Sequence, residues 1–406
     1  MPQKTTEKAL ESQIVEEFLV EKSGYLQRPN TKYDKKLCLD PEQVYSFIIA
    51  TQPEEWEKLK KQHGEDVKNK FFKRLSSKIE KEGVLQVLRK GIIDLGCHFD
   101  LFYAKPSTTM NETYRKKYEA NLFSVMRQVY FSEQNNKSVD LVAFINGLPI
   151  ICVELKNHLS GQTVWDAVKQ YRTDRDPREP FFKFKRLLVN FAVDEDLVYM
   201  ATKLEGLKTY FLPFNKGENG GAGNPPTDGF KTEYLWKEIL QKESLSELIK
   251  KYINTQEIYD EDGRPTGEQI LVFPRYHQMD AVRKIISDTR SRGTGKNYLI
   301  QHSAGSGKSM TIAWSAHQLT ELHNNKNEKI FDSVIVVTDR RVLDKQLQRT
   351  IQEFEQKTGV VAKIEKGSKQ LKEALEQGKK IIITTLQKFP YIADDIKKLP
   401  SRNFAV

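Results

Sequence analysis

Two apolar runs, SVDLVAFI and LPIICVEL, meet at Asn146-Gly147. No other stretch limits the fold of this chain so tightly. Asn-Gly supplies the left-handed backbone of a tight hairpin turn, and β-branched and aromatic residues suit the two arms as strands. Yet the run from Ser138 to His158 also carries Asp140, Glu154 and Lys156. A buried charge is costly unless it is paired or binds an ion. The three residues therefore mark either a structural ion pair or a metal site.

The register of the hairpin bears on that choice. A two-residue loop pairs Ile145 with Leu148 and leaves Asp140 and Glu154 on opposite faces. A three-residue loop, Asn146-Gly147-Leu148, pairs Ile145 with Pro149 and sets Asp140 opposite Glu154, with Lys156 on the same face by period-2 alternation. The expectation is the three-residue loop or an equivalent bulge. Two carboxylates on one face can hold Mg²⁺ through oxygen, and an ammonium beside them can orient or deprotonate water and stabilise developing negative charge. A surface ion pair on a strand remains the alternative.

Around the hairpin the sequence reads as a small mixed sheet flanked by helices. Leu10, Ile14, Phe18 and Leu19 recur at helical spacing, with Gly24 as a stop. Residues 41–90 have a helical rhythm closed by Gly91. IIDLGCHFDLFYA and ANLFSVMRQVYF precede the hairpin as strands. TVWDAVKQYRT follows as a helix, then KRLLVNFAVD and LVYMATK as strands. Residues 211–230, dense in Gly, Asn and Pro, read as an extended loop. The expected organisation is a first domain over 1–230, a helical linker over 231–268 and a second domain over 269–406.

The second domain alternates apolar strands (YLIQH, SVIVVT, KIIITT) with helical segments, the pattern of βαβ units and a parallel sheet. YLIQHSAGSGKSMTIAW runs from strand through a Gly-rich turn into a helix. Glycines there let backbone N–H groups close on phosphate oxygens at a helix N-terminus. Gly305, Ser306, Gly307, Lys308 and Ser309 form the expected nucleotide site, with Lys308 reaching the β- and γ-phosphates and Ser309 on Mg²⁺. His302 stands where the strict pattern has Gly. A Gly-Ser turn with a surface lysine is the bland alternative.

Composition excludes several classes. Three widely separated cysteines, Cys38, Cys97 and Cys152, with no CxxC, argue against a disulfide framework or a zinc knot. No apolar run is long enough to span a bilayer and no leader pattern is seen, so a cytoplasmic location is expected. A net charge of +10 is compatible with a polyanionic partner without requiring one.

Asp140, Glu154 and Lys156 match the PD-(D/E)xK nuclease pattern. Gln170 and Tyr171 resemble the QxxxY or QY element of RecB-like nucleases, which implies positioning of substrate or of the lysine. Glu11 resembles the first-helix glutamate of that class, which implies a third metal carboxylate beside Asp140 and Glu154. Phe273, Arg275 and Gln278 in FPRYHQMDAV resemble the adenine-reading element of superfamily 2 helicases. Arg340, Arg341, Thr384 and Thr385, in the turns after two strands, correspond to positions that hold the DNA backbone there.

The whole chain resembles the N-terminal part of the R (restriction) subunit of type I restriction–modification enzymes. The resemblance runs through YEANLFSVMRQVYFS, SVDLVAFINGLPIICVELKN, DAVKQY, FLPFNKGENGGAGNP, FPRYHQMDAV, YLIQHSAGSGKS, FDSVIVVTDRRVLDKQLQ and IIITTLQKFP; His302 is usual in that family. It implies a RecB-like nuclease domain with a mixed sheet, followed by a partial RecA-like helicase domain with a parallel sheet. Mg²⁺ and ATP are the implied cofactors. Double-stranded DNA and the methyltransferase and specificity subunits are the implied partners. No DEAD-like motif follows Lys308, so a fragment cut before that motif, with little ATP hydrolysis, is expected. A stand-alone repair helicase–nuclease and a catalytically silent DNA-binding fragment are the competing readings.

Overall fold

The Asn146-Gly147 turn sits near the centre of a seven-stranded mixed sheet in the computed structural model. The structure describes residues 7–106, 112–260, 262–338, 341–354, 359–364, 368–388 and 403–406. The chain divides into two units, Met1–Arg275 and Tyr276–Val406.

In the first unit, α1 (Glu7–Ser12) continues as a wider helical turn over Gln13–Lys22, with Leu10, Ile14, Val15, Phe18 and Leu19 buried. After β1 (Leu26–Gln27) come four helices, α2 (Pro41–Thr51), α3 (Pro53–His63), α4 (Val67–Glu82) and α5 (Val84–Lys90). Gly91 caps α5 at φ +67°, as its position past the last apolar residue requires. The strand expected in IIDLGCHFDLFYA is instead a separate two-stranded hairpin, β2 (Ile92–Asp94) with β3 (Cys97–Phe99). α6 (Glu112–Glu119) leads into β4 (Phe123–Tyr130), β5 (Ser138–Ile145) and β6 (Leu148–Leu155).

α7 (Val164–Thr173) then carries the chain to β7 (Val189–Val193), and β8 (Val198–Ala201) and β9 (Leu212–Pro213) follow. The sheet order is β1-β4-β5-β6-β7-β8-β9. β6 and β7 run parallel across the α7 crossover, as do β1 and β4, and the other neighbours are antiparallel. α7 begins with a capping box between Thr163 and Asp166, which satisfies first-turn donors. Its Val164, Ala167, Val168 and Tyr171 bury against Val142, Phe144, Cys152 and Ala192 of the sheet. Each such aliphatic side chain contributes roughly 1.5–3 kcal/mol. This layer holds β5 and β6 rigidly.

Residues 231–268, expected as a helical linker, pack against the first unit. Leu235, Trp236 and Ile239 are buried, Trp236 packs on Phe18, and the Tyr25 hydroxyl donates to Leu240 O. α8 (Lys242–Glu247) continues into a further turn whose carbonyls at Ile249 and Ile253 accept from Arg89. The chain then forms the antiparallel pair β10 (Asn254–Tyr259) and β11 (Pro265–Val272). Apolar burial and buried caps tie the segment to the first unit.

The second unit contains α9 (Tyr276–Arg292), α10 (Lys308–Thr320), β12 (Ser333–Thr338), α11 (Arg341–Glu353), β13 (Val361–Lys363), α12 (Ser368–Glu376), β14 (Ile381–Thr385) and β15 (Phe404–Ala405). The sheet is wholly parallel, ordered β13-β14-β12-β15. Val334, Val336, Ile381 and Ile383 face one apolar layer, while Ile335 and Ile382 face another with Leu371 and Leu375. Helices on both faces explain why these strands are continuously apolar.

The expected strand YLIQH is absent: residues 298–301 have no regular structure and Leu299 is 94% exposed. β12 already has β14 and β15 on its two edges, and β14 has β12 and β13. Among the described residues, the outer strands of this sheet are only β13, of three residues, and β15, of two, so the segment finds no long partner edge there.

Candidate active site

The hairpin turn has two residues, with Asn146 at φ +50° and Gly147 at φ +81°, and Ile145 pairs with Leu148. The three-residue loop is therefore corrected to a two-residue turn. One bond pair further on, Phe144 pairs with Pro149 but Ala143 pairs with Ile151. Ile150 is the extra residue of a bulge. Its carbonyl leaves the β5 ladder and accepts from Leu188 N at 2.8 Å. From there the register runs Val142↔Cys152 and Leu141↔Val153, so Asp140 falls opposite Glu154. The bulge does what the longer loop was expected to do.

Asp140 is 9% exposed, Glu154 0% and Lys156 7%. Asp140 Oδ2 accepts from Leu155 N at 2.7 Å, which pins its carboxylate to the end of β6. Glu154 Oε1 accepts from Arg175 Nε at 2.7 Å, while Oε2 is buried with no hydrogen-bond partner. Burial, and next the charge of Asp140, push the Glu154 carboxyl up to about 8, with Arg175 opposing. Lys156 Nζ donates to Leu155 O at 2.9 Å and lies 3.8 Å from Glu7 Oε1. Burial also raises the Glu7 carboxyl, against the pull of Lys156.

The predicted third carboxylate is engaged elsewhere. Glu11 Oε1 accepts from Arg127 Nε, and Oε2 accepts from Gln128 Nε2 at 2.9 Å. Arg127 also reaches Glu16 and the Ser12 hydroxyl, which clamps the first helix onto β4. Among the described residues, no three His, Cys, Asp or Glu side chains converge closely enough to hold a metal. A cation here would rest on Asp140 and Glu154. The orphaned, buried Glu154 Oε2 suits an oxygen-seeking divalent ion, because an unpaired acceptor in that place is otherwise unfavourable.

Tyr171 is fully buried, and its hydroxyl lies 3.3 Å from Cys152 Sγ and 3.2 Å from Phe191 O. That places it as a packing residue beneath the site rather than at the acids. Gln170, one residue earlier on α7, is half-buried. Cys152 is core, as its sequence setting suggests, and burial pushes its thiol well up.

Three participants were not singled out in the sequence. Arg175 sits just beyond α7, 3% exposed, and also donates to Ser138 O at 2.8 Å. Gln128 and Ser138 bond to each other and flank Asp140. Arg175 lies two residues past the helix and carried no local signal. Gln128 is legible only once β4 is registered against β5.

In the second unit, Gly305 and Gly307 take φ +73° and +82°, and α10 begins at Lys308. Lys308 Nζ donates to His302 O at 3.2 Å and to Ser303 O at 2.9 Å, turning back on the loop's own carbonyls. Ser309 is half-buried in the first turn, and Ser306 is buried. Gln278 Nε2 donates to Ser306 O at 3.1 Å and Gly307 O at 3.0 Å, so its amide braces the Gly-Ser turn. A Cβ on Gly307 would come 2.3 Å from that nitrogen. The turn, the left-handed glycines and the helix start fit a phosphate-bearing ligand.

The remaining predictions are placed less favourably. Phe273 is 5% exposed, edge-on to Phe191 at 5.9 Å and near Phe214 at 6.0 Å. Its ring belongs to the core of the first unit and is not offered to a base. Arg275 is half-buried at the end of that unit. Thr384 and Thr385 are buried at the end of β14, paired with Val337 and Thr338, so this arrangement does not present them to a DNA backbone. Arg340 lies outside the described residues, and of Arg341 only the backbone, at the start of α11, is described.

Residues 4–209 match the family described as type I restriction enzyme R protein N terminus, and residues 277–405 match SWI2/SNF2 ATPase. The putative type I restriction enzyme MjaVIIIP endonuclease subunit of Methanocaldococcus jannaschii is 27% identical over 75% of this chain and 29% of its own length. The type I restriction enzyme HindI endonuclease subunit of Haemophilus influenzae is 26% identical over 66% of this chain and 25% of its own. The SauCOLORF180P endonuclease subunit of Staphylococcus aureus is 24% identical over 67% of this chain and 26% of its own. The chain thus spans between a quarter and three-tenths of these relatives. Among the described residues no helix is long and apolar enough to cross a membrane.

Proposed function

The chain belongs to the type I restriction enzyme R protein N-terminal family, and on that premise we propose that its first unit is a magnesium-dependent PD-(D/E)xK nuclease that hydrolyses phosphodiesters of double-stranded DNA. One observation carries this reading: the bulge at Ile150 brings Asp140 opposite Glu154, and leaves Glu154 Oε2 buried without a partner.

Asp140 and Glu154 would hold the ion. Bound Mg²⁺ supplies charge neutralisation at the phosphate and acidifies water. Asp140 is held in place by Leu155 N, so it binds without first reorganising. Arg175 fixes one oxygen of Glu154 and leaves the other without a hydrogen-bond partner, available to the ligand. Lys156 Nζ orients the attacking water and stabilises negative charge as the phosphorus–oxygen bond to the leaving strand breaks. Its present contacts, Leu155 O and Glu7, keep it at the rim of the acids.

The second unit, a RecA-like domain in this reading, binds ATP phosphates at Gly305–Ser309, with Lys308 released from His302 O and Ser303 O to meet them. In the complete subunit that site drives translocation along DNA, and methyltransferase and specificity subunits select the site.

The test is nicking of supercoiled plasmid in Mg²⁺ by the parent chain, Asp140→Asn and Lys156→Met. Each variant should lose at least about 100-fold in rate. Cleavage undiminished in both variants would refute the assignment.

A further inference from the structure

Gln128 occupies an unusual place in β4. Its neighbours pair regularly, Arg127 with Leu141 and Val129 with Val139, which sets Gln128 opposite Asp140. Yet Gln128 leaves the ladder, with φ at +49°. A non-glycine residue held there costs on the order of 1–3 kcal/mol and persists only where its surroundings impose it. Its displaced carbonyl is caught by Asn30 Nδ2 at 2.8 Å. Packing alone offers no reason for this conformation, because the side chain is half-buried and polar.

The side chain supplies a reason. Gln128 Nε2 donates to Glu11 Oε2 at 2.9 Å and lies 3.3 Å from Asp140 Oδ1, while Gln128 Oε1 accepts from the Ser138 hydroxyl at 2.9 Å. One amide N–H pair thus sits between two carboxylates, Glu11, which Arg127 also pairs, and Asp140. That is the place a divalent cation would be drawn to. An amide's two ends are close in size and opposite in polarity, and a serine hydroxyl can either donate or accept. A half-turn of the Gln128 amide would point its oxygen toward the acids, with Ser138 Oγ then accepting from Nε2. The Ser138 hydroxyl proton turns away with it.

We propose that Gln128 is a switchable ligand of the cation site: its amide nitrogen bridges Glu11 and Asp140 when no cation is bound, and its amide oxygen coordinates the cation when one is. This goes beyond the Asp140–Glu154 pair and rests on the reading that Asp140 binds a divalent ion. It also gives Glu11 a role without direct ligation, as the acid that holds the amide until the ion arrives.

The experiment is calorimetric titration of Mn²⁺ into the 406-residue chain and its Asp140→Asn, Gln128→Met and Gln128→Glu variants, with thermal melts in EDTA. Gln128→Met removes the oxygen ligand and should weaken Mn²⁺ binding about tenfold or more. Gln128→Glu removes the bridging donor and adds charge. It should lower the melting temperature in EDTA and tighten Mn²⁺ binding about tenfold, with the melting temperature restored by the ion. Native affinity in Gln128→Met, or no tightening in Gln128→Glu, would overturn the proposal while Asp140→Asn still abolished binding. Binding unchanged by Asp140→Asn, or no binding by the parent chain, would instead overturn the cation-site reading and the Gln128 proposal with it.

Discussion

Replacing Glu154 by Gln should change how the stability of the first unit depends on pH. Glu154 is fully buried, and its carboxyl is moved from the ordinary 4.5 up to about 8, chiefly by burial. Between those values the folded chain keeps a proton that the unfolded chain releases. Stability from this group is therefore complete below 4.5 and is lost as pH rises toward 8. Each pH unit in the window costs about 1.4 kcal/mol. The amide introduced by Glu154→Gln has no proton to lose, and Arg175 stays charged throughout, so its changed pairing adds only a constant offset. From about pH 5.5 to about 7.5 the variant should gain on the parent by about 2–3 kcal/mol. Amide hydrogen exchange of β5 and β6 in EDTA, corrected for intrinsic rates, reads this unit separately from the second. A stability difference that stays flat across the window would refute the assignment of a buried, proton-holding Glu154.

Three other outcomes follow from the same geometry. Gly147→Ala places a Cβ 2.4 Å from Asp40 O and 2.7 Å from Val44 Cγ2 at φ +81°, and should cost the hairpin about 3 kcal/mol or more by hydrogen exchange. Lys308→Ala should weaken binding of a fluorescent ATP analogue at least about tenfold; unchanged affinity would mean that the Gly-Ser turn is only a turn. Phe273→Ala should destabilise the first unit by about 3–5 kcal/mol and leave that nucleotide affinity unchanged, since the ring packs with Phe191 and Phe214.

What could be read from the sequence was local. β4 to β8 and α7 follow from apolar strand-like runs, the Asn-Gly turn and helical spacing after them. The Gly-Ser turn follows from glycines placed before a helix. What could not be read was tertiary. Whether YLIQH becomes a strand depends on a free partner edge in the sheet, and the segment itself carries no record of that. Phe273 and Thr384 look like ligand-binding positions by resemblance to helicase motifs, but their burial is decided by Phe191, Phe214 and β12. Arg175 and Gln128 reach the acids only through the register of other strands.

The bulge at Ile150 also changes what the spacing between the two acids means. With a two-residue turn, a regular ladder would set Asp140 opposite position 153, and only the extra residue shifts the meeting point to Glu154. The odd or even count of residues between the acids is thus an indirect readout of strand geometry. A homologous hairpin one residue shorter could keep the same two carboxylates face to face with no bulge at all, whereas one that lost the bulge but kept its length would hide one acid behind the sheet. Comparisons that align the acids by sequence alone would score the first as damaged and the second as intact.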